Sequence, residues 1–255
     1  MKTAHFLQEI DALSAVSAKQ GFFYELHPLA KLLVTISFIV VLMSIDKYAF
    51  VPVLTMGVYP FLAFTMSGLS LKSCVARIYP VLLIAGFVGI ANPILDKNVV
   101  NIWQWQLSAG YVSFATLMLK GFWAVLASYF LIATNSVTSL CYALHLLHVP
   151  KILVTQFLLT YRYLVLLLQE VENVSAAYAL RAPRQKGVNF KVWGFLVGHM
   201  LLRSMERAEN IYASMVMRGF RGEIYYNSSK TVWSRRDWFF LLAAAAGFLL
   251  IRVNL

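Results

Sequence analysis

The 255-residue chain has little charge and few cysteines. Only 13% of its residues are charged, whereas 60% are hydrophobic and the mean hydropathy is +0.69. Soluble domains are usually about one-quarter charged. The composition therefore excludes an ordinary soluble domain and predicts an integral membrane protein. The two cysteines, Cys74 and Cys141, lie far apart in the sequence and do not suggest a disulfide framework.

Groups that perform chemistry are also scarce. The chain has no G-x-x-x-x-G-K-[ST] phosphate loop, so we expect it not to hydrolyse ATP and not to be an enzyme. A membrane-embedded lipid-modifying enzyme would need acidic or histidine clusters, usually with a metal. A self-contained carrier would need polar groups at mid-membrane, for which Lys120 and Asn92 are thin support. Both stay alternatives, although the apolar runs are nearly free of such groups and Asp46, Asp96 and Asp237 stand singly at their ends.

The net charge of +11 comes from an excess of Lys and Arg. These bases do not form a soluble basic domain, so the charge does not predict nucleic-acid binding. Cytoplasmic flanks of membrane spans collect Lys and Arg. Residues 137–236 carry 13 of the 22 bases, and we expect this region and the N-terminus to be cytoplasmic. The predicted location is the inner (cytoplasmic) membrane, with several spans.

The fold class predicted is an all-α polytopic membrane protein. Residues 1–133 are expected to form an N-terminal membrane domain with about four spans, and residues 237–255 a C-terminal transmembrane helix. Between them, residues 134–236 are predicted to form a cytoplasmic or interfacial helical region. We expect residues 96–109 to be a polar loop. The apolar runs that predict about five spans cover 29–45, 48–69, 78–95, 111–133 and 238–251.

An internal repeat lies in the cytoplasmic region. The segments VENVSAAYALRAPR, 171–184, and AENIYASMVMRGFR, 208–221, are offset by 37 residues and align without a gap. Five of their 14 aligned positions are identical. The repeat suggests two equivalent partners or one symmetric dimer. The identical pairs are Glu172 with Glu209, Asn173 with Asn210, Ala176 with Ala213, Arg181 with Arg218, and Arg184 with Arg221.

Each copy reads as an amphipathic helix that ends in arginine. Positions seven and three residues before the arginine fall on one face of a helix. These positions hold Val174 and Tyr178 in the first copy, and Ile211 and Met215 in the second. A cation at a helix C-terminus is favoured by the helix dipole. Such a helix tip suits an acidic groove on a partner, although a contact with lipid headgroups is the alternative.

The ends of the two copies are predicted to differ. Pro183 is expected to stop the first helix, and Gly219 to close the second in a left-handed cap. We therefore expect two similar contacts with different mobility.

Four stretches resemble a known family. They are HPLAKLL at 27–33, IANPIL at 90–95, VPKILVTQFLLTYRYLVLLLQEVE at 149–172 and LLRSMERAENIYASMVMRGF at 201–220. In these the chain resembles the transmembrane T component of energy-coupling-factor (ECF) transporters, the CbiQ/EcfT family of bacteria and archaea. The resemblance covers nearly the whole chain, and its last stretch is the most specific.

The resemblance implies a scaffold function. A T component joins a substrate-binding membrane protein, the S component, to two cytoplasmic ABC-type ATPases, and its two coupling helices dock arginine motifs on those ATPases. The motifs here are Leu180-Arg181-Ala182 and Met217-Arg218-Gly219, which depart from the family's usual Ala-Arg-Gly at both Ala positions and at the first Gly. The implied cargo is a micronutrient, with a cobalt or nickel ion favoured over a vitamin. No cofactor is expected in this chain, since ATP and Mg would bind the ATPases.

Other polar residues receive plainer interpretations. Glu172, Glu209, Arg184 and Arg221 recur in the repeat and are candidates to support the coupling helices. His145 and His148 have a spacing that could bind a metal, but no third ligand is near in sequence, so they are interpreted as interfacial. Arg162 lies in an apolar helix and needs a partner such as Glu170 or a lipid phosphate.

Overall fold

The computed structural model describes residues 22–68, 71–95, 99–102, 105–182, 187–222 and 233–253. Within these residues the chain is helical apart from one β-hairpin, which confirms the all-α prediction. The helices are α1 Phe22–Glu25, α2 Pro28–Ser44, α3 Phe50–Met56, α4 Val58–Ser67, α5 Leu71–Gly89, α6 Ala91–Leu95, α7 Ala109–Thr134, α8 Val137–Leu146, α9 Lys151–Arg181, α10 Phe190–Met217 and α11 Arg235–Val253.

The hairpin lies in the segment that was predicted to be a polar loop. Strand β1, Val99–Ile102, pairs antiparallel with β2, Trp105–Ser108, and Val99 stands opposite Ser108. WQLS alternates apolar and polar residues, and VVNI is rich in β-branched residues, both of which favour short strands. Sequence reasoning missed these signals because it treated the polar residues as evidence for an irregular loop.

Three helical segments are long and apolar enough to cross a membrane among the described residues. Two of them, Phe50–Ser67 and Ala109–Thr134, match predicted spans. The third is α9, in the region predicted to be cytoplasmic or interfacial; its first half is rich in Leu, Ile and Val but also contains Lys151 and Arg162. The helices in two further predicted spans, Pro28–Ser44 and Tyr79–Pro93, are apolar but shorter. The fold is thus that of a polytopic membrane protein.

The chain divides into two compact units. Among the described residues, the first comprises residues 22–140 and those from 233 onward, and the second comprises the residues from Cys141 to 222. The helix α11 therefore groups with the N-terminal helices. The division into 1–133, 134–236 and 237–255 stays a prediction about membrane topology.

In the first unit, α7 packs against α2, α3, α4, α5 and α6, and α11 packs against α2 and α3. An aromatic cluster of Phe38, Tyr59 and Phe248 joins three of these elements, with ring centroids 5.1–5.5 Å apart. Gly57, between α3 and α4, allows the closest approach, because a Cβ there would lie 2.2 Å from the Trp123 ring.

The HPLAKLL motif begins α2 and contacts α7 and α11 of the first unit. The His27 imidazole accepts a hydrogen bond from the Leu29 backbone N–H and caps α2, which Pro28 opens. Lys31 is 1% exposed, and its Nζ donates to the Thr134 carbonyl at 3.1 Å and to Asn135 Oδ1 at 3.0 Å. A buried ammonium needs such acceptors. The motif therefore connects the start of α2 with the end of α7.

Asp237 is not isolated, contrary to the sequence interpretation. It is buried, and its carboxylate accepts the backbone N–H of His27 at 2.8 Å and that of Ser234 at 2.8 Å. A carboxylate that caps the start of a helix is favoured by the helix dipole. Asp237 thus joins α11 to α2.

Lys120, which was thin support for a carrier, contacts the end of α2. Its Nζ donates a hydrogen bond to the carbonyl of Ile45, the residue that caps the C-terminus of α2. This contact satisfies a carbonyl that has no partner within its own helix. Lys120 is therefore accounted for by packing, and it gives no support to a carrier with its own ion pathway.

Candidate functional site

The candidate site is the pair of long helices in the second unit, α9 and α10. Tyr178, near the end of α9, accepts a hydrogen bond from the backbone N–H of Asn189, the residue that caps the start of α10, at 3.5 Å. Farther back along α9, Glu170 pairs with Arg203 and, at 3.8 Å, with Arg207. Residues progressively earlier in α9 thus meet residues progressively later in α10. The two helices run antiparallel.

Glu170 is held between two arginines of the other helix. Its side chain is 16% exposed, and Arg203 and Arg207 are one turn apart, so both guanidinium groups reach the same carboxylate. The sequence offered Glu170 or a lipid phosphate as a partner for Arg162, and Glu170 instead pairs with Arg203 and Arg207. Arg162 lies eight residues from Glu170, or about 12 Å along the helix.

Arg181 is the last residue of α9, as the sequence predicted. The helix ends at Ala182, which has φ −127° and ψ 62° and donates its N–H to the Tyr178 carbonyl. The residue before a proline is driven out of the helical region by the proline ring, and this explains the end of the helix. Arg181 is exposed and lies in the last turn, where the helix dipole favours a cation. Pro183 and Arg184 lie outside the described residues.

Arg218 caps the C-terminus of α10, and the predicted left-handed glycine follows it. Gly219 has φ +83° and donates its N–H to the Val216 carbonyl at 2.9 Å. The N–H of Phe220 reaches back to the Met215 carbonyl at 2.9 Å. These two bonds form a Schellman motif, which satisfies the last carbonyls of the helix. They hold Arg218 in a defined backbone position at the helix tip.

The residue before each arginine is an exposed apolar side chain. Leu180 is 83% exposed and Met217 is 82% exposed. By contrast, the residues three and seven positions before each arginine, here called the stripe residues, are half-buried, as expected for the inner faces of the two helices. They are Val174, Tyr178, Ile211 and Met215. The two copies therefore present the same arrangement: an arginine beside an apolar side chain that nothing in the described chain covers.

The two arginines stand at opposite ends of the helix pair. Arg181 lies at the end where α9 passes to α10, and Arg218 ends the 28-residue α10. At 1.5 Å per residue, a helix of that length spans about 40 Å. The repeated arginines consequently cannot enter one small pocket together, and each needs a surface of its own.

The other repeated residues are less informative. Glu172 and Glu209 make no ion pair and no side-chain hydrogen bond within the part of the chain that the structure describes. Arg221 is exposed beyond the glycine cap. Their supporting role stays a prediction.

Residues of the two helices also line an open cavity of about 550 Å³, here called the basic cavity. Four arginines line it together with one acidic residue, Glu206. Sequence reasoning did not find this cavity, although Arg203 and Arg207 at i and i+4 are a signal that two charges share a helix face. The four arginines are Arg162, Arg203, Arg207 and Arg218.

A metal site is not evident among the described residues, where no group of three His, Cys, Asp or Glu side chains comes together. His145 lies in the last turn of α8. His148, in the following turn, has a left-handed backbone with φ +59°. The N–H of His148 donates to the His145 carbonyl at 3.1 Å, so the pair shapes a turn.

Comparison with known proteins assigns a family. A family model described as cobalt transport protein, CbiQ, matches residues 21–230. The chain is also similar to two uncharacterised proteins of Methanocaldococcus jannaschii, with 34% identity over 92 residues and 30% identity over 96 residues. Those matches cover 35% and 37% of this chain, and 30% and 36% of the relatives, so the chain matches about one-third of the length of each. Because the family model spans most of the sequence, the chain belongs to the CbiQ family of cobalt transport proteins.

Proposed function

We propose that this chain is the scaffold subunit of an ECF-type importer, and that it transmits ATP-driven motion from two ABC-type ATPases to a substrate-binding S component. The family is one of membrane transport components, which makes transport the general function. The proposal adds the partners, the mechanism and the arginine contacts.

One observation carries the proposal: the repeated arginines occupy equivalent, exposed helix ends. Each arginine follows an apolar residue that is more than four-fifths exposed, Leu180 at 83% and Met217 at 82%. Arginine is enriched among the residues that dominate binding energy at protein contacts, and covering an exposed apolar side chain beside it adds favourable burial. The separation of about 40 Å along α10 favours two partners over one.

The mechanism follows from the rigidity of the helix pair. The capped ends fix each arginine to its helix, and the Glu170 contacts with Arg203 and Arg207 link the two helices. When two ATPases close on ATP and open after its hydrolysis, the arginine ends would move with them. The pair would then transmit this displacement to the S component. ATP and Mg would be bound by the ATPases, with no cofactor in this chain.

The cargo that we favour is a cobalt or nickel ion, with a vitamin as the alternative. The family description names cobalt transport, and this supports a metal cargo. The cargo would bind the S component. We also propose a cytoplasmic N-terminus in the inner membrane, because 13 of the 22 Lys and Arg residues lie in 137–236.

Charge reversal of both arginines tests the proposal. The chain would be co-expressed with the ABC-type ATPases and the S component of its own organism, and purified through a tag on this chain. In the variant Arg181→Glu/Arg218→Glu we expect the ATPases to be lost while the S component is retained. The matched control is Lys191→Glu/Arg235→Glu, which reverses two exposed bases in first turns of helices, where the helix dipole tolerates acidic residues. Normal assembly and ATP-driven uptake in the double arginine variant would refute the coupling function.

A further inference from the structure

We propose that the α9–α10 pair binds one anionic phospholipid, with the lipid phosphate in the basic cavity and an acyl chain in an adjoining apolar groove. Arg218 lines this cavity, but Arg162, Arg203 and Arg207 lie away from both helix ends, so the proposal does not depend on whether Arg181 and Arg218 bind ATPases.

The basic cavity has an excess of positive charge. Four arginines face it against the single carboxylate of Glu206, and Glu170 lies behind two of them as the partner of Arg203 and Arg207. Arg162 and Arg218 make no ion pair or side-chain hydrogen bond within the described parts of the chain. Guanidinium groups bind phosphate oxygens through paired N–H donors. The cavity is therefore complementary to a phosphate group.

The apolar groove, lined by Leu164, Leu167, Leu168 and Val171 among others, has a volume of about 600 Å³. It adjoins the basic cavity, because Leu159, Tyr163, Arg207, Ile211 and Met215 line both. Among the described residues that line the groove, Arg207 alone is charged. A basic cavity beside an apolar groove matches a molecule with an anionic head and a hydrocarbon tail.

The surface around this site is suited to a bilayer. The first half of α9 exposes Ile152, Leu153 and Phe157, whose exposed fractions are 71%, 59% and 53%. Basic pockets beside apolar helix surfaces are the usual binding places of anionic lipid headgroups. An acidic peptide would use the arginines but would leave the groove and the exposed apolar residues uncovered.

Native mass spectrometry of the purified full-length chain in detergent tests the proposal. The probes are dioleoyl-phosphatidylglycerol, dioleoyl-phosphatidylcholine and inorganic phosphate. We expect one phosphatidylglycerol per chain, bound at least about tenfold more tightly than phosphatidylcholine and not displaced by millimolar phosphate. Loss of two charge-assisted hydrogen bonds in Arg162→Gln/Arg207→Gln should weaken phosphatidylglycerol binding at least about tenfold.

Two further variants keep the test decisive. Arg162→Gln alone removes a side chain that has no partner in the described chain, so it should weaken binding without loosening the helix pair. Lys191→Gln/Arg235→Gln removes two bases outside the cavity and should bind phosphatidylglycerol as the wild type does. The proposal is overturned if the cavity variants bind like the wild type, if the two lipids bind equally, or if phosphate alone competes. A change from dimer to monomer in the cavity variants would instead identify an interface between two copies and would also overturn it.

Discussion

Glu170 on α9 forms an ion pair with Arg203 on α10, and the same carboxylate lies 3.8 Å from Arg207. This contact between residues 33 positions apart links the two helices that carry the repeated arginines. It stands about midway between the ends at which Arg181 and Arg218 are displayed. A displacement of one arginine is therefore transmitted to the other only if the two helices move together.

Replacement of Glu170 by Gln should loosen the helix pair. The change removes the negative charge between two guanidinium groups, and we expect a loss of about 1 kcal/mol in the stability of the pair. Spin labels on the exposed positions 175 and 195 should show a broader distance distribution. Glu172→Gln is the matched control, because Glu172 has no partner within the described residues. An unchanged distribution in Glu170→Gln would show that the ion pair does not hold the helices together.

Gly219→Ala should destabilise the tip of α10 by about 1 kcal/mol, since alanine disfavours φ +83° even though nothing lies within 4 Å of the new Cβ. We expect faster amide hydrogen exchange at the last turn and weaker retention of the ATPases. Gly198→Ala provides the control with the same change of side chain in open space within the helix, where alanine should be stabilising. Equal exchange in both variants would mean that the cap does not hold Arg218.

Lys31→Met should lower the stability of the first unit by about 2–3 kcal/mol. The Thr134 carbonyl and Asn135 Oδ1 would lose the donor that they share, and both lie in buried surroundings. The measurement is thermal unfolding in detergent, with a decrease of several degrees in Tm expected. Lys191→Met, at an exposed position, should leave Tm unchanged. A Lys31→Met variant as stable as the wild type would contradict a structural role for the HPLAKLL motif.

The stability of the protein should fall as the pH is lowered through the His27 titration. Burial lowers the pKa of His27 from its ordinary value of 6.5, and it outweighs the nearby Asp237 carboxylate, which acts in the opposite sense. Below pH 6.5 the unfolded chain therefore binds more protons at this residue than the folded chain. As the pH falls further, the free energy of unfolding decreases until the pH passes the lowered pKa of the folded state. His27→Asn, which can still cap α2, should reduce the difference in Tm between pH 7.5 and pH 5.5. An undiminished difference would exclude His27 as its cause.

Local features of the arginine helices could be predicted from the sequence. Arg181 precedes a proline by two residues and Arg218 precedes a glycine, and these signals act on the backbone over one helical turn. The stripe residues followed in the same way from helical periodicity. Such features depend on neighbouring residues alone, so they need no knowledge of the fold.

Contacts between distant residues could not be predicted. Asp237 accepts a hydrogen bond from His27, which lies 210 positions away, and nothing local distinguishes this carboxylate from one at a free helix end. The basic cavity likewise forms only when α9 and α10 run antiparallel. The exposure of Leu180 and Met217 was also missed, since periodicity predicts which face a residue shares but not whether another element covers it.

Site-directed photo-crosslinking tests the central claim most directly. A benzophenone amino acid would replace Leu180 or Met217 in turn in the assembled complex, with Phe195, an apolar residue that is 76% exposed away from the helix ends, as the control position. The account predicts crosslinks to ABC-type ATPase subunits from positions 180 and 217, and none to them from position 195. The absence of ATPase crosslinks at both helix ends, or equal crosslinking from position 195, would contradict the claim that the two arginine ends hold the ATPases.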